Sequence, residues 1–269
     1  MDDLARYQGL GQFGRAYRMV YANDCHAPGS VDRVLLERMV RICPETASYL
    51  YRDYASLAIT YTTSRRPELE RHLRSIGADR GSIEEKVNAI VGLCRGLTET
   101  AANRTEDDLL FGGTEEEVIQ RGSDWCTDLA RVACVLAQVA GLPSRIVFLA
   151  NTASAYSGHA IVEIHRNSVW GAVDPTNTIV YQRSDGMPVS TWEIISEPPL
   201  VDAGQSGLDA SGEWTGQFRG AALSNYLVSD VERYDYTVSS INEYYRSILS
   251  MASRGWPGGL RWLHGEDES

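Results

Sequence analysis

The sequence predicts an α+β fold in which a helical first half feeds an antiparallel sheet. Capped amphipathic helical runs fill the first half, and three β-rich runs crowd residues 144–175. Nothing resembling a flexible linker divides the N-terminal helices from the rest, so one compact unit with extensions is expected, the alternative being a separate N-terminal lobe.

Val31, Val34, Leu35, Met39 and Ile42 recur at helical spacing. Pro44 then opens a second helical run with Ala47, Leu50, Tyr51, Tyr54 and Leu57 on one face, which "TTSRRPEL" breaks. Ser82 and Glu85 form a capping box ahead of Ile83, Val87, Ile90, Val91, Cys94 and Leu97, a helix that makes Cys94 a core residue. Thr114 and Glu117 form another, so a short helix leads to Arg121. Either Ser123 or Asp124 can cap the next helix. Its buried stripe is Leu129, Val132, Ala133, Leu136 and Ala140, and Gly141 and Pro143 end it. Cys126 falls in its first turn under either choice.

"SRIVFLA", "GHAIVEIH" and "VWGAVDP" read as strands, and "RNS" between the last two has the length of a hairpin turn. Residues 202–217 are rich in Gly, Ser and Asp and read as a surface loop or flap. Ser240 and Glu243 cap a last helix carrying Ile241, Tyr244, Ile248 and Met251.

A chain of 269 residues, 43% hydrophobic, can bury a substantial core. Its five cysteines are odd in number, lack a CxxC pair and follow no apolar leader, so a reduced, cytoplasmic protein is expected. No apolar stretch reaches the about eighteen residues of a membrane helix. The formal charge of −11 disfavours nucleic acid and anionic membranes as partners and favours a basic substrate. Lys86 is the only lysine. That would spare an amine-acylating enzyme from modifying itself, but genome base composition explains the bias equally well.

The chemistry centres on "RGSDWCTDLARVACVLAQVAGLPSRIV", residues 121–147. A helix N-terminus supplies unpaired N–H groups and partial positive charge, which favour a thiolate and can also hold a developing oxyanion. A base follows from the hairpin. A turn centred on Arg166 and Asn167 sets His159 opposite Asp174 with Cβ atoms about 5 Å apart, which suits an imidazole held by a carboxylate. A turn shifted by one residue would set Ile161 there instead. His165, on the same face but roughly 20 Å along the strand, reads as a surface histidine. Cys25 and His26 are too close in sequence to ligate one metal and have no spaced partners, so no metal and no cofactor are expected. Cys134, about 12 Å along the helix from Cys126, reads as core, and Cys43 has no visible partner.

The ordered run of Cys126, "GHAIVEI" with His159, and "VWGAVDPTN" with Asp174 resembles the transglutaminase-like superfamily, relatives of the papain-like cysteine proteases. The resemblance covers roughly Ser82 to Pro199 and implies a core in which the helix carrying the cysteine packs on an antiparallel sheet. Residues 1–81 would then be an N-terminal helical extension, 82–200 the catalytic core, and 201–269 a C-terminal loop and helical extension. The match implies Cys126 as nucleophile, His159 as general base and then acid, and Asp174 as the orienting carboxylate. It also implies a thioester formed from a peptide or small-molecule acyl donor and passed to an amine or to water. The family commonly has glycine two residues before the cysteine, where this chain has Asp124; as an N-cap, Asp124 would turn toward backbone amides and away from the sulfur. Gln120 stands at the offset where papain-like enzymes keep an oxyanion-holding glutamine, against the commoner solvent-facing helical glutamine. Trp125 either lines the acyl channel or packs under the helix. Trp214, Tyr226, Tyr244 and Tyr245 are candidates for the channel wall, against the commoner role of structural packing. The alternative, from a different class, is a non-catalytic domain that keeps the fold and binds a peptide.

Overall fold

A computed structural model of the chain describes residues 39–42, 44–53, 59–102, 113–150, 158–197, 218 and 221–224. Val31, Val34 and Leu35 of the first expected helical run, Cys25, His26 and Cys43, the loop at 202–217 with Trp214, Tyr226, and the last helix with Tyr244 and Tyr245 lie outside the described residues.

Six strands form one sheet: β1 (Met39–Arg41), β2 (Ser144–Ala150), β3 (Gly158–Arg166), β4 (Val169–Asp174), β5 (Ile179–Val180) and β6 (Ala222–Ser224), in the spatial order β1-β6-β2-β3-β4-β5. Every recorded pairing is antiparallel. The three runs read as strands from sequence are β2, β3 and β4. Met39, expected on a helix, instead opens β1 and pairs with Ser224. Three residues cannot declare a period, and the pairing that makes them a strand comes from the other end of the chain. The sheet thus draws strands from both sides of residues 82–200.

The helices are α1 (Pro44–Ser48), which runs into a π-helical turn at Tyr49–Asp53, then α2 (Pro67–Ser75), α3 (Ile83–Ala101), α4 (Glu115–Arg121), α5 (Cys126–Val139) and α6 (Thr191–Ser196). Among the described residues no helix is long and apolar enough to cross a membrane. The capping boxes expected at Ser82 with Glu85 and at Thr114 with Glu117 are both formed. Helix α2 begins within the segment read as a breaker, with Pro67 in its first turn, where a missing N–H costs nothing.

Alternation along the strands gives the sheet two apolar faces. On one, Ile146, Phe148, Ala160, Val162, Ile164 and Val173 pack with Leu129, Val132, Ala133 and Leu136 of α5 and with α2 and α3. On the other, Val147, Leu149, Ile161 and Ala172 pack with Leu50, Tyr181, Val189 and Ile194. Helix α5 is buried on every side from Thr127 to Gln138, because the sheet covers one flank and α2, α3 and α4 the other. Cys94 and Cys134 are core, as expected.

The β3–β4 hairpin turns at Asn167 and Ser168, both at positive φ (50° and 66°), which is the two-residue geometry whose twist matches paired strands. The turn therefore lies one residue later than expected: Arg166 pairs with Val169 and Val162 with Val173. Below the turn the buried Arg166 lies across Gly171, where a Cβ would come within 2.7 Å of Arg166 Nε, while Arg166 Nη1 donates to Glu84 at 2.6 Å. The hairpin is thereby tied to the first turn of α3.

Buried charge also anchors the second face. Arg145 and Glu163, cross-strand neighbours on β2 and β3, are bonded at 2.8 Å, and Glu163 further accepts from Tyr51 Oη and Thr191 N–H, each at 2.8 Å. The Arg145 guanidinium lies 4.0 Å from the ring centroid of Trp170 and 4.7 Å from that of Tyr51. His165, expected at the surface, is half-buried edge-on against Trp170, and burial together with the charge of Arg145 lowers its pKa.

Candidate functional site

Cys126 is the first residue of α5 and half-buried. The N-cap is neither Ser123 nor Asp124 but Trp125, and no side-chain hydrogen bond caps the helix. Asp124 is exposed. Ser123 is buried, and its Oγ accepts the Trp125 N–H at 3.2 Å and donates to Asp128 Oδ2 at 3.1 Å. The expectation failed because a side chain caps a helix only from the residue next to its first turn, and the helix starts later than the polar residues suggested.

Gly122 ends α4 at φ +83°, where a Cβ would lie 2.9 Å from Leu97 O and from Thr100 Cβ. Two costs coincide: the backbone angle disfavours any L side chain, and α3 leaves no space. Gly122→Ala is expected to destabilise the fold by roughly 1–3 kcal/mol and to slow labelling of Cys126, both readable from urea unfolding and alkylation rates on one preparation. An unchanged unfolding midpoint would show that the close approach is not rigid.

His159, on β3, donates through Nε2 to Asp174 Oδ2 at 2.8 Å, and the same ring is a hydrogen-bond partner of the Cys126 side chain. With Nε2 taken by the carboxylate, Nδ1 is left for the sulfur. The hairpin register is not the one expected. Continuing the observed pairing puts Ile161, and not His159, across from Asp174. A turn displaced by one residue preserves the face, however, so the two side chains become diagonal neighbours, and an imidazole spans that diagonal.

Asp174 closes β4 and is fully buried. Pro175 has no N–H, and the next two amides, Thr176 and Asn177, both donate to Asp174 Oδ1 at 3.0 Å, while Asn177 Nδ2 donates to Oδ2 at 2.8 Å. Burial pushes this carboxyl up, but the bonds from His159 and Asn177 outweigh it, and its pKa is lowered. For His159, burial opposes the cation, and the bonds and negative charge of Asp174 and Cys126 overrule it, raising the imidazole to about 10. Burial drives the thiols of Cys94 and Cys134 up to about 12.

The other residues singled out from sequence are placed less centrally. Gln120 is exposed on α4, and Trp125 is half-buried. Sequence reasoning missed Asn177, although a polar residue three positions after an aspartate beyond a strand signals a turn that folds onto its carboxylate. It also missed Asp128, Arg131 and Glu115, buried together where α4 meets α5: Arg131 donates to Asp128 at 3.3 Å and to Glu115 at 3.0 Å.

A thiol, an imidazole and a carboxylate joined in sequence at a helix start have the parts for nucleophilic acyl chemistry. No curated protein and no solved structure matches the chain. A family model does match, over the stretch that carries all three side chains. By that match residues 100–175 are similar to the transglutaminase-like superfamily, which generally works by cysteine-based acyl transfer or hydrolysis.

Proposed function

We propose that the protein is a cysteine-dependent acyltransferase or amidohydrolase that works through a thioester on Cys126. The observation that supports this most is the shared imidazole: His159 bonds Asp174 at 2.8 Å through Nε2 and is also the partner of Cys126. In the proposed cycle His159 takes the thiol proton of Cys126 and the sulfur attacks the carbonyl carbon of an amide or thioester. The C–S bond forms, and the carbonyl electron pair moves onto oxygen. The backbone N–H groups at the start of α5, where the N-cap Trp125 makes no side-chain cap bond, hold the developing oxyanion. As the intermediate collapses, the bond to the leaving group breaks and His159 gives that group its proton. Water or an amine then attacks the thioester carbonyl while His159 takes its proton; the C–S bond breaks, the proton passes from His159 to the sulfur, and the acyl product leaves the free thiol behind. Asp174 holds the ring in the tautomer that serves the sulfur.

The acyl donor is a peptide or a small molecule. A dry channel favours an amine acceptor and an open cleft favours water. In this reading residues 82–200 form the catalytic core, the flanking segments shape the channel, and no cofactor takes part.

Limiting iodoacetamide near neutral pH, read by intact mass and peptide mapping, is expected to label Cys126 well ahead of Cys94 and Cys134, whose buried thiols stay protonated. The same preparation is expected to give a stoichiometric burst with p-nitrophenyl acetate that Cys126→Ala abolishes. Absence of both preferential labelling and a burst in the folded protein would favour a peptide-binding domain that keeps the fold without the chemistry.

A further inference from the structure

Among the described residues, α3, α4 and α6 each open with a capping box, in which a glutamate three residues into the helix accepts the N–H of the N-cap. Helix α5 departs from this pattern. Its N-cap, Trp125, carries no capping side chain, and the acid at the third position is Asp128. Asp128 does reach toward the N-cap amide, but through an intermediary: Trp125 N–H donates to Ser123 Oγ at 3.2 Å, and Ser123 Oγ donates to Asp128 Oδ2 at 3.1 Å.

The relay is buried, Ser123 being 1% and Asp128 0% exposed. Its far side is fixed by charge. Arg131 Nη1 donates to Asp128 Oδ1 at 3.3 Å and Arg121 Nη2 to Oδ2 at 3.4 Å. Arg131 Nη2 also donates to Gly113 O at 2.6 Å and to Glu115 Oε1 at 3.0 Å, and Glu115 Oε2 meets Arg66 at 2.5 Å. Apolar packing would stabilise this junction as well as a buried ion network does, so stability alone gives no reason for so much charge. What the network provides is direction. It fixes the peptide that enters Cys126 from outside the helix, at an N-cap whose own side chain makes no cap bond.

We infer that Ser123 and Asp128 are positioning residues for acylation of Cys126: by holding the Trp125 amide through a buried hydroxyl, they aim the N–H groups of the helix start at the oxygen of the acyl donor. The inference rests on the acyl-transfer reading above and adds to it two residues of the buried junction behind the helix start.

The test exploits a difference between two reactions of one thiol. Alkylation by iodoacetamide creates no oxyanion, whereas acylation by p-nitrophenyl acetate does. Ser123→Ala is expected to slow the acylation burst about 10- to 100-fold while the alkylation rate of Cys126 stays within about twofold of wild type. Ser123→Thr, which keeps the hydroxyl, is expected to recover most of the loss. Asp128→Asn should fall between them, and it supplies the same comparison if Ser123→Ala does not fold. An acylation rate unchanged in a folded variant, or one that falls only in step with alkylation, would overturn the inference. Wild-type protein with neither reaction at Cys126 would instead bring down the acyl-transfer reading itself.

Discussion

His159→Ala is expected to slow acylation of Cys126 by about 100- to 10,000-fold, because it removes both the acceptor of the thiol proton and the donor to the leaving group. The fold should survive. Asp174 keeps Thr176 N–H, Asn177 N–H and Asn177 Nδ2 as donors, so the loss of one partner does not strand the buried carboxylate. The stability cost near neutral pH should be roughly 1–3 kcal/mol, and its pH dependence has a definite sign. The imidazole is raised in the folded state from the ordinary 6.5 to about 10. A raised value means that the cation is favoured by folding, so its stabilising contribution is complete below pH 6.5 and fades as pH rises through about 10. The gap in urea midpoint between wild type and His159→Ala should therefore be widest near pH 6 and shrink toward pH 10.5. On the acid side the contribution falls away as Asp174 protonates through its lowered pKa. A gap that stays constant between pH 6 and pH 10.5 would mean that the ring is not held as a cation by its neighbours. In Cys126→Ala two of the raising influences vanish, and His159 should titrate lower by NMR.

Much of this arrangement was legible in the sequence because local rules and global fold agree there. The capping boxes at Ser82 and Thr114 place two helix starts, while a third, at Ser190 with Glu193, opens a helix of six residues, too short to show a period. The strands β2, β3 and β4 were visible as β-branched runs between turn residues. The hairpin shows what such reading can and cannot reach. Alternation fixed the face shared by His159 and Asp174, but the turn chosen by Asn167 and Ser168 set the register, and either residue pair within "RNS" would have served. The burial of α5 was underestimated for a physical reason. A helical stripe predicts one dry flank, whereas α5 is enclosed by the sheet and three helices, so Asp128 and Arg131, polar by composition, turn inward and satisfy each other. Strands β1 and β6 were not legible at all: each is three residues long, and each becomes a strand through partners far away in sequence.

Asp174→Asn separates the electrostatic role of the third residue from its shape. All four recorded hydrogen bonds to this carboxylate come from nitrogen: Thr176 and Asn177 amides at Oδ1, and Asn177 Nδ2 and His159 Nε2 at Oδ2. An asparagine offers oxygen to one side only. If its NH2 faces the two backbone amides, buried donors oppose each other, at a cost of roughly 1–3 kcal/mol. If instead its NH2 faces His159, Asn177 can flip its own amide to present oxygen, but the imidazole must make Nε2 an acceptor and carry its proton on Nδ1. That proton would then point at the sulfur, and the ring could no longer take the thiol's. Either orientation damages acylation, and a loss of about 100- to 10,000-fold is expected with little loss of secondary structure. The two orientations are distinguishable by the imidazole 15N shifts, which report which ring nitrogen bears hydrogen. A variant that acylates at close to the wild-type rate would show that His159 is oriented by something other than the charge of Asp174. The triad assignment would then fail even with Cys126 reactive.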